Sequence, residues 1–452
     1  MDELIEESIT KLDENNELNN ILNEFELEKN NVNKVILVRK ILDKLNIVPG
    51  MPKPLKNNKL ATDFSKSGDK WQLQGSVNSN FNALVNYNES ICFAENNSLP
   101  LLNGYAKRAL IYYKLELYEY CLRNIELANG INCDGSSTAM NDVLKLEAKC
   151  KEHLLKPNVS KKNTKFQLKL SHSPHAKVPF IADCLDIRQN EQYGRYIITH
   201  QNLDPGQIVA IEEPYFTVLL PTLRYQRCAT CLQENSLTLI PCTHCTSAMF
   251  CSMECLQQAE HTFHKFECPI IHYLHEHFNK FHLSALRATI MAFLAYNTSE
   301  ELSLAIELAN KNKPVTVFSA RDVSPQEKYL LIHTFPTKQS DRTSIDLFGT
   351  AIAASVSASI LTAATGLDEN IVMELLFHHL QISRMYFHSL SQTALQYQSE
   401  EGGLLGSGAF PFCSLINHAC TPNILRIPFG SKMVIFVLRP IKKGEQLFDN
   451  YG

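Results

Sequence analysis

Eight residues between positions 228 and 268 have the types and the spacing of metal ligands. Seven of the chain's fourteen cysteines lie in this stretch, and a histidine completes the set. The eight are Cys228, Cys231, Cys242, Cys245, Cys251, Cys255, His264 and Cys268. Pairs separated by two or three residues place two ligand atoms on one ion, and four ligands close a tetrahedral zinc site. We therefore expect two structural Zn²⁺ ions; the alternative is a group of buried free thiols.

A second group of polar residues lies near the C-terminus. It reads Asn417-His418-Ala419-Cys420-Thr421-Pro422-Asn423 and is followed by Gly444-Glu445 and by Asp449-Asn450-Tyr451-Gly452. Taken alone, an Asn-His pair beside a proline turn is either a binding site or a structural cluster at the end of a strand. Spacing does not decide between the two.

The elements that carry these residues alternate between strand and helix patterns. Strands are predicted at Tyr196–Ile198, Ile208–Ile211, Phe216–Leu220, Ile424–Ile427 and Met433–Val437. Helical periodicity predicts long helices at Leu283–Tyr296 and Ile371–Leu395. Strand-forming segments thus flank both the cysteine cluster and a helical block.

The N-terminal part of the chain is predicted to be helical. Apolar residues recur with helical spacing over 1–47, and prolines 49, 52 and 54 then interrupt the pattern. From 61 to 155 a weak repeat at an offset of 34 relates Ile91 to Ile125 and Ala94 to Ala128, as in tetratricopeptide repeats. A competing match at an offset of 31 leaves an unrelated helical bundle open. Residues 156–180 are lysine-rich and predict a linker.

Composition excludes several classes of protein. A chain of 452 residues with 44% hydrophobic residues can bury a large core, and its net charge of −4 disfavours a nucleic-acid polycation. The acidic N-terminus has no signal-peptide pattern, so we expect an intracellular protein, cytoplasmic or nuclear, whose clustered cysteines bind metal. The uncharged run from Leu347 to Leu367 is rich in Ala and Ser, which predicts a buried helix rather than a membrane span.

The cysteine cluster resembles a MYND zinc finger, including its closing His264-Lys265-Phe266-Glu267-Cys268. The resemblance implies interleaved pairs, with Cys228, Cys231, Cys251 and Cys255 on one zinc and Cys242, Cys245, His264 and Cys268 on the other. Such fingers bind proline-containing peptides or co-repressor-type proteins. Four glutamates against Lys265 alone give the finger a charge of −3, which disfavours contact with DNA phosphates.

The C-terminal motif resembles the Asn-His-x-Cys-x-Pro-Asn signature of SET-domain protein-lysine methyltransferases, whose N-terminal Gly-Arg strand is matched by Gly194-Arg195. A SET domain split by a MYND finger is typical of the SET and MYND domain family, and preceding helical repeats resemble its tetratricopeptide-bearing branch. The implied fold is α+β and multidomain. The expected segments are an N-terminal helical segment (1–60), tetratricopeptide-like repeats (61–155), a linker (156–180), the first SET part (181–227), the finger (228–268), a helical SET insert (269–405) and the second SET part (406–452).

The resemblance also implies an activity and its residues. The expected reaction is methyl transfer from S-adenosyl-L-methionine to a lysine of a protein substrate, histone or non-histone. Gly194, Arg195, Asn417 and His418 would bind the cofactor, and Tyr451 would bind it and act in catalysis. Phe410 and Phe412 would form channel walls or, as an alternative, part of the core.

Departures from the family pattern define an alternative function. The stretch Gln381–Phe387 lacks the family's cofactor-holding asparagine, and the sequence stops at Gly452, before the family's post-SET cysteines that would join Cys420 around a third zinc. The alternative is a weakly active or inactive adaptor acting through protein contacts. In both cases we expect a monomer without membrane contact or sequence-specific DNA binding.

Overall fold

A computed structural model of the protein describes residues 1–47, 55–133, 138–155, 168–312, 324–392 and 403–451. The helices are α1 (Asp2–Glu14), α2 (Leu18–Leu27), α3 (Asn31–Lys44), α4 (Asn58–Gln72), α5 (Val77–Phe93), α6 (Leu99–Lys114), α7 (Tyr118–Asn129), α8 (Thr138–Leu155), α9 (Met253–His261), α10 (His264–Glu267), α11 (Ile271–His277), α12 (Lys280–Ala295), α13 (Ser299–Asn312), α14 (Pro325–His333), α15 (Ser344–Thr365) and α16 (Glu369–Tyr386). The strands are β1 (Leu185–Asn190), β2 (Gly194–Thr199), β3 (Ile208–Glu212), β4 (Phe216–Leu219), β5 (Ile240–Pro241), β6 (Met249–Phe250), β7 (Phe387–Ser391), β8 (Leu404–Ala409), β9 (Asn417–His418), β10 (Ile424–Phe429), β11 (Lys432–Val437) and β12 (Phe448–Asp449).

The chain divides into two compact units, and both are discontinuous in sequence. Unit 1 comprises Met1–Met51, Gln167–Leu220 and Glu276–Gly452, whereas unit 2 comprises Pro52–Phe166 and Pro221–His275. The cysteine-rich segment therefore belongs to the same unit as helices α4–α8, and the N-terminal helices α1–α3 belong to the unit that contains the C-terminal strands.

Small antiparallel sheets and one parallel pair of two-residue strands, β9 and β12, form the β part of unit 1. Strand β1 pairs with β2, β11 lies between β10 and β3, and β8 lies between β4 and β7. The predicted strands all fall within β2, β3, β4, β10 and β11, except that β4 ends one residue early, at Leu219. The β10–β11 hairpin pairs Phe429 with Lys432 across Gly430, whose φ of 64° suits glycine in a tight turn.

Helix α15 is the most apolar helix among the described residues. It is long and apolar enough to cross a membrane by length and composition, but 72% of its most apolar window is buried inside the protein. It packs against α3 and α16, and the ring of Phe348 meets that of Phe25 edge-on at 5.5 Å. These contacts agree with the predicted buried helix.

The predicted helix Ile371–Leu395 is wrong in its last part. Helix α16 ends at Tyr386, and the next five residues form β7, which pairs with β8. Residues 393–395 lie outside the described part of the chain. Phe387 and Leu390 are buried in the strand. Apolar residues three apart are typical of one face of a helix, but in a strand that is covered on both sides they are buried on opposite faces, and the pairing with β8 selects the strand.

Helices α4–α8 and the cysteine-rich segment share one core in unit 2. Helices α4 and α5 pack together, as do α6 and α7. Ile91, Ile125, Ala94 and Ala128, which the 34-residue offset relates, are all buried. The core also contains Leu237, Leu239 and Met249 from the cysteine-rich segment. The assignment of the helices to the tetratricopeptide class stays a prediction.

The predicted linker is only partly described, because 156–167 lie outside the described ranges. Residues 168–180, the rest of the predicted linker, belong to unit 1 and contact its strands. Ser171 donates its backbone N–H to the carbonyl of Ile208 at 2.9 Å, and its Oγ accepts the N–H of Ile208 at 2.8 Å.

Candidate active site and metal centres

The eight predicted metal ligands form two groups of four within unit 2. One group contains Cys228, Cys231, Cys251 and Cys255, and the other contains Cys242, Cys245, His264 and Cys268. Within each group all ligand atoms lie within 4.8 Å of one another. This is the interleaved arrangement that the resemblance implies. His261 is outside both groups, since its Nδ1 lies 2.7 Å from the carbonyl oxygen of Gln257.

The ligand spacings fit zinc. The Sγ atoms of Cys231 and Cys251 are 3.5 Å apart, those of Cys242 and Cys268 are 3.8 Å apart, and Cys245 Sγ lies 3.7 Å from His264 Nε2. A tetrahedron with Zn–S bonds of about 2.3 Å has edges of about 3.8 Å. The backbone N–H of His244 points at Cys242 Sγ at 3.3 Å, which stabilises a thiolate there.

Two polar side chains from the helices, Arg108 and Asn88, hold the segment that carries these ligands. Arg108 is fully buried, and its Nη1 donates to the carbonyl of Leu239 at 2.7 Å and to Asn88 Oδ1 at 2.6 Å. Its Nε donates to Asn124 Oδ1 at 2.9 Å. Asn88 donates to the carbonyls of Tyr225 and Leu237 at 2.8 and 3.0 Å. The helices therefore satisfy backbone acceptors that a short metal-bound segment leaves unpaired.

The five residues proposed to bind a cofactor come together in unit 1. Asn417 begins β9, and its Nδ2 reaches the carbonyls of Tyr193 and Arg195 at 3.2 and 3.4 Å. Parallel pairing of β9 with β12 sets Asp449 beside His418. Gly194 opens β2 with a φ of 63°, and a Cβ there would have no heavy atom within 4 Å. Glycine thus keeps the hairpin turn unstrained and its surroundings open.

Tyr451 is held at both its backbone and its hydroxyl. Its N–H donates to His418 Nδ1 at 3.2 Å, and its hydroxyl donates to the carbonyl of Ile416 at 2.6 Å. The rings of Tyr451 and His418 are 5.2 Å apart. Desolvation raises the pKa of Tyr451 above its usual value, so the phenol is a hydrogen-bond donor at neutral pH.

The Arg195 side chain faces an aromatic pair that sequence reasoning missed. Its guanidinium lies 5.4 Å from the ring centre of Phe335, which stacks on Tyr386 at 4.5 Å with an interplanar angle of 6°. Burial lowers the pKa of Arg195, and among the described residues no carboxylate forms an ion pair with it. Phe335 follows α14 and carries no spacing signal, so the tertiary fold alone brings it to Arg195.

A buried carboxylate shapes the turn before Asn417. Glu212, at the end of β3, accepts the N–H groups of Phe412 and Cys413 at 2.8 and 2.9 Å. Burial raises the pKa of Glu212 to about 7. Phe410 and Phe412 are fully buried, in agreement with the core alternative for both.

Gln381 begins the stretch in which the resemblance leads us to expect an asparagine. It is fully buried on α16, and its Nε2 donates to the carbonyl of Phe377 at 2.9 Å within the same helix. Its amide is therefore turned into the core of unit 1.

Comparison with known proteins identifies the fold of these segments. The SET domain family model matches residues 194–452, which is more than half of the chain. The protein-lysine N-methyltransferase SMYD4 of Homo sapiens is 22% identical over 82% of this chain and 61% of its own length. SMYD4 of Danio rerio is 24% identical over 48% of this chain and 30% of its own. The N-lysine methyltransferase SMYD2 of Homo sapiens is 25% identical over 57% of this chain and 52% of its own length.

These matches span 30 to 61% of the relatives' own lengths. The relatives' names specify methyl transfer to lysine. The chain also combines the SET match with two clusters of four candidate metal ligands. The chain therefore belongs to the SET-domain family, in its SET and MYND group.

Proposed function

We propose that this chain is a protein-lysine N-methyltransferase that uses S-adenosyl-L-methionine. The observation that carries the proposal is the Tyr451 hydroxyl, which is fixed against the Ile416 carbonyl next to Asn417 and His418. A phenol and a backbone carbonyl at one point can orient a lysine amine and a methyl group. The names of the relatives support the same reaction.

The residues around Tyr451 suit this cofactor. The guanidinium of Arg195, half-buried and without an ion-pair partner among the described residues, would offer a counter-charge for the cofactor's carboxylate. Asn417 supplies an amide, and Gly194 leaves open space beside β2. When bound, the cofactor supplies an electrophilic methyl group on a sulfonium sulfur.

The protein's own contribution is positioning. An in-line transfer needs the amine and the methyl group aligned, which gives a large share of the rate enhancement. The protonated Tyr451 hydroxyl and the Ile416 carbonyl would hold the amine and make weak C–H···O contacts to the methyl group. The amine must be neutral to attack, and a partly desolvated site lowers the pKa of a lysine.

The metal centres would hold two structural zinc ions and stabilise unit 2. Helix α9 remains available on the finger, with Met253 exposed by 52% and Gln257 exposed. We propose that proline-containing peptides or co-repressor-type proteins bind there, and that the chain is an intracellular monomer, cytoplasmic or nuclear, without membrane or specific DNA contact. Protein substrates with a target lysine would bind at unit 1.

An adaptor function is the second candidate. It is favoured by the burial of Gln381, which leaves the family's cofactor-holding amide on α16 without a substitute. In that case the SET fold would be kept while the finger and helices bind partners without methyl transfer.

The deciding experiment uses the full, zinc-loaded chain. Isothermal titration with S-adenosyl-L-methionine measures binding, and radiolabelled cofactor with core histones and a lysine-peptide library measures transfer. We expect both, with Tyr451→Phe lowering turnover by at least about 100-fold, the scale of losing one oriented donor. Tyr113→Phe, in unit 2, is the matched control. A folded sample that binds no cofactor would refute the proposed methyltransferase activity, and cofactor binding without methyl transfer would favour the adaptor function.

A further inference from the structure

A chain of buried and half-buried polar side chains connects four segments of unit 1 behind Tyr451. Arg426 on β10 pairs through Nε with Asp449 on β12 and contacts Nδ1 of His388 on β7. His388 Nε2 lies 3.0 Å from the Oγ of Ser414, in the turn that precedes Asn417. We call these four residues the polar strut. None of them takes part in the transfer proposed above.

The polar strut is largely shielded from water. The side chains of Arg426 and Asp449 are 17% and 7% exposed. Burial raises the pKa of Asp449 and lowers that of His388 to about 3, so His388 is neutral at physiological pH. A buried carboxylate needs a partner of opposite charge, and Arg426 is the cation that supplies it here.

Asp449 lies two residues before Tyr451 on the short strand β12, and its backbone carbonyl accepts the N–H of Ala419 at 2.8 Å. Strand β12 has only two residues, which pair in parallel with Asn417 and His418. The N–H of Phe448 donates to Asn423 Oδ1 at 2.7 Å, and the N–H of Asn423 donates to the carbonyl of Phe448 at 3.1 Å. The ion pair with Arg426 is therefore what anchors the side chain nearest to Tyr451 within β12.

The other end of the polar strut reaches the aromatic pair beside Arg195. Ser414 Oγ lies 3.0 Å from the carbonyl oxygen of Tyr386, the residue that stacks on Phe335. One connected set of polar contacts thus links the strand that precedes Tyr451, the turn before Asn417 and the end of α16.

We propose that Arg426 is a positioning residue for methyl transfer: through Asp449 it fixes β12, and so holds the Tyr451 hydroxyl at the Ile416 carbonyl. The proposal rests on the proposed function and assigns to that site a residue that touches neither cofactor nor substrate. Displacements of about 1 Å at a reacting group cost about 100-fold in rate, so a loosened β12 would lower turnover.

The two charges also act on Tyr451 in opposite directions. Arg426 lowers the pKa of Tyr451 and Asp449 raises it. The other titratable groups that face this phenol are His418, whose ring lies 5.2 Å away, and Tyr386, which is itself influenced by Arg195. Removing one charge at a time should therefore move the alkaline limb of the pH–rate profile in opposite directions. General destabilisation has no such signature.

The test compares Arg426→Gln, Asp449→Asn, the double variant and Arg426→Lys in the full zinc-loaded chain. The assay is transfer from S-adenosyl-L-methionine to the best acceptor of the histone and peptide panel. For each single variant we expect kcat to fall at least about tenfold while the KM for the cofactor stays within about threefold. The alkaline limb of the pH–rate profile should move to higher pH for Arg426→Gln and to lower pH for Asp449→Asn. Arg426→Lys should recover part of the kcat that Arg426→Gln loses.

Controls keep the outcomes separate. Arg188→Gln breaks an exposed Arg–Asp pair on β1, whose side chains are 51% and 41% exposed, and should leave kcat unchanged. If a single variant does not fold, the double variant, which buries no unpaired charge, decides through its kcat. Unchanged kcat, or a loss without the opposite limb shifts, overturns the positioning role. A parent chain that is folded but neither binds cofactor nor transfers methyl refutes the proposed function, and this inference with it.

Discussion

Replacing Arg108 with methionine should destabilise the finger and helices α4–α8 together. Methionine has a similar length but donates no hydrogen bond. The change leaves Asn88 Oδ1, Asn124 Oδ1 and the Leu239 carbonyl without their donor. Each orphaned buried acceptor costs about 1–3 kcal/mol, so the three together cost about 3–9 kcal/mol. The variant no longer has to bury a guanidinium charge, and this gain offsets part of that cost. We expect a net loss of about 2–5 kcal/mol from the free energy of unfolding of unit 2.

The chain carries its own probe for this experiment. Its single tryptophan, Trp71, lies in α4, so its fluorescence reports on the helices, whereas a zinc-binding dye reports on the finger. In urea titrations of the parent chain both probes should give one midpoint. In the Arg108→Met variant both midpoints should move together to lower urea.

Arg123→Met is the matched control, because Arg123 donates one hydrogen bond to the finger, to the Cys251 carbonyl at 2.6 Å. It should cost about 1 kcal/mol, the net value of one hydrogen bond. Separate midpoints in the parent chain would refute the shared core. So would an Arg108 variant that releases zinc early while Trp71 fluorescence keeps its parental transition.

Three further predictions concern metal, pH and packing. Metal analysis should find two zinc ions per chain, and a stoichiometry of zero or three would contradict the ligand sets. A chelator should remove the two ions in two phases, because Cys231, Cys251 and Cys255 are less buried than Cys242 and Cys245. Burial holds the pKa of His333 and His379 well below 6.5, so the unfolded chain takes up protons first as the pH falls. These histidines cost no stability above pH 6.5, and below it each lowers the stability of unit 1 by up to about 1.4 kcal/mol per pH unit. Glu212 opposes this in part, because its stabilisation is full below pH 4.5 and is lost as pH rises through about 7. Urea unfolding followed by near-UV circular dichroism at pH 7 and pH 5 checks this, and equal midpoints would contradict it. Gly406→Ala would bring a Cβ within 1.8 Å of the Val218 carbonyl oxygen and should lower the thermal midpoint by several degrees, whereas Gly403→Ala, with no atom within 4 Å, should not.

Local spacing was enough to predict the metal ligands. Two thiols with two residues between them can bind one ion, because the turn between them fixes their distance whatever surrounds it. The same holds for the strands β2, β3, β10 and β11, in which runs of apolar, β-branched and aromatic residues bounded by turn residues indicate the strand without reference to its partner. The gathering of Asn417, His418 and Tyr451 rested instead on a resemblance between whole motifs.

Apolar periodicity shows that a face is buried but not what covers it. Sequence order therefore separates the N-terminal helices from the SET segments and the finger from the helical repeats, whereas the tertiary fold joins α3 to α15 and Arg108 to Leu239. The polar strut and the stack of Phe335 on Tyr386 have the same origin, since their members lie far apart in the chain and only strand pairing and helix packing bring them together. Sequence alone picked out the candidate ligands, five of the twelve described strands and the signature residues. The tertiary structure decided which segments share a core and which charges meet behind Tyr451, because burial and pairing energies depend on neighbours distant in sequence.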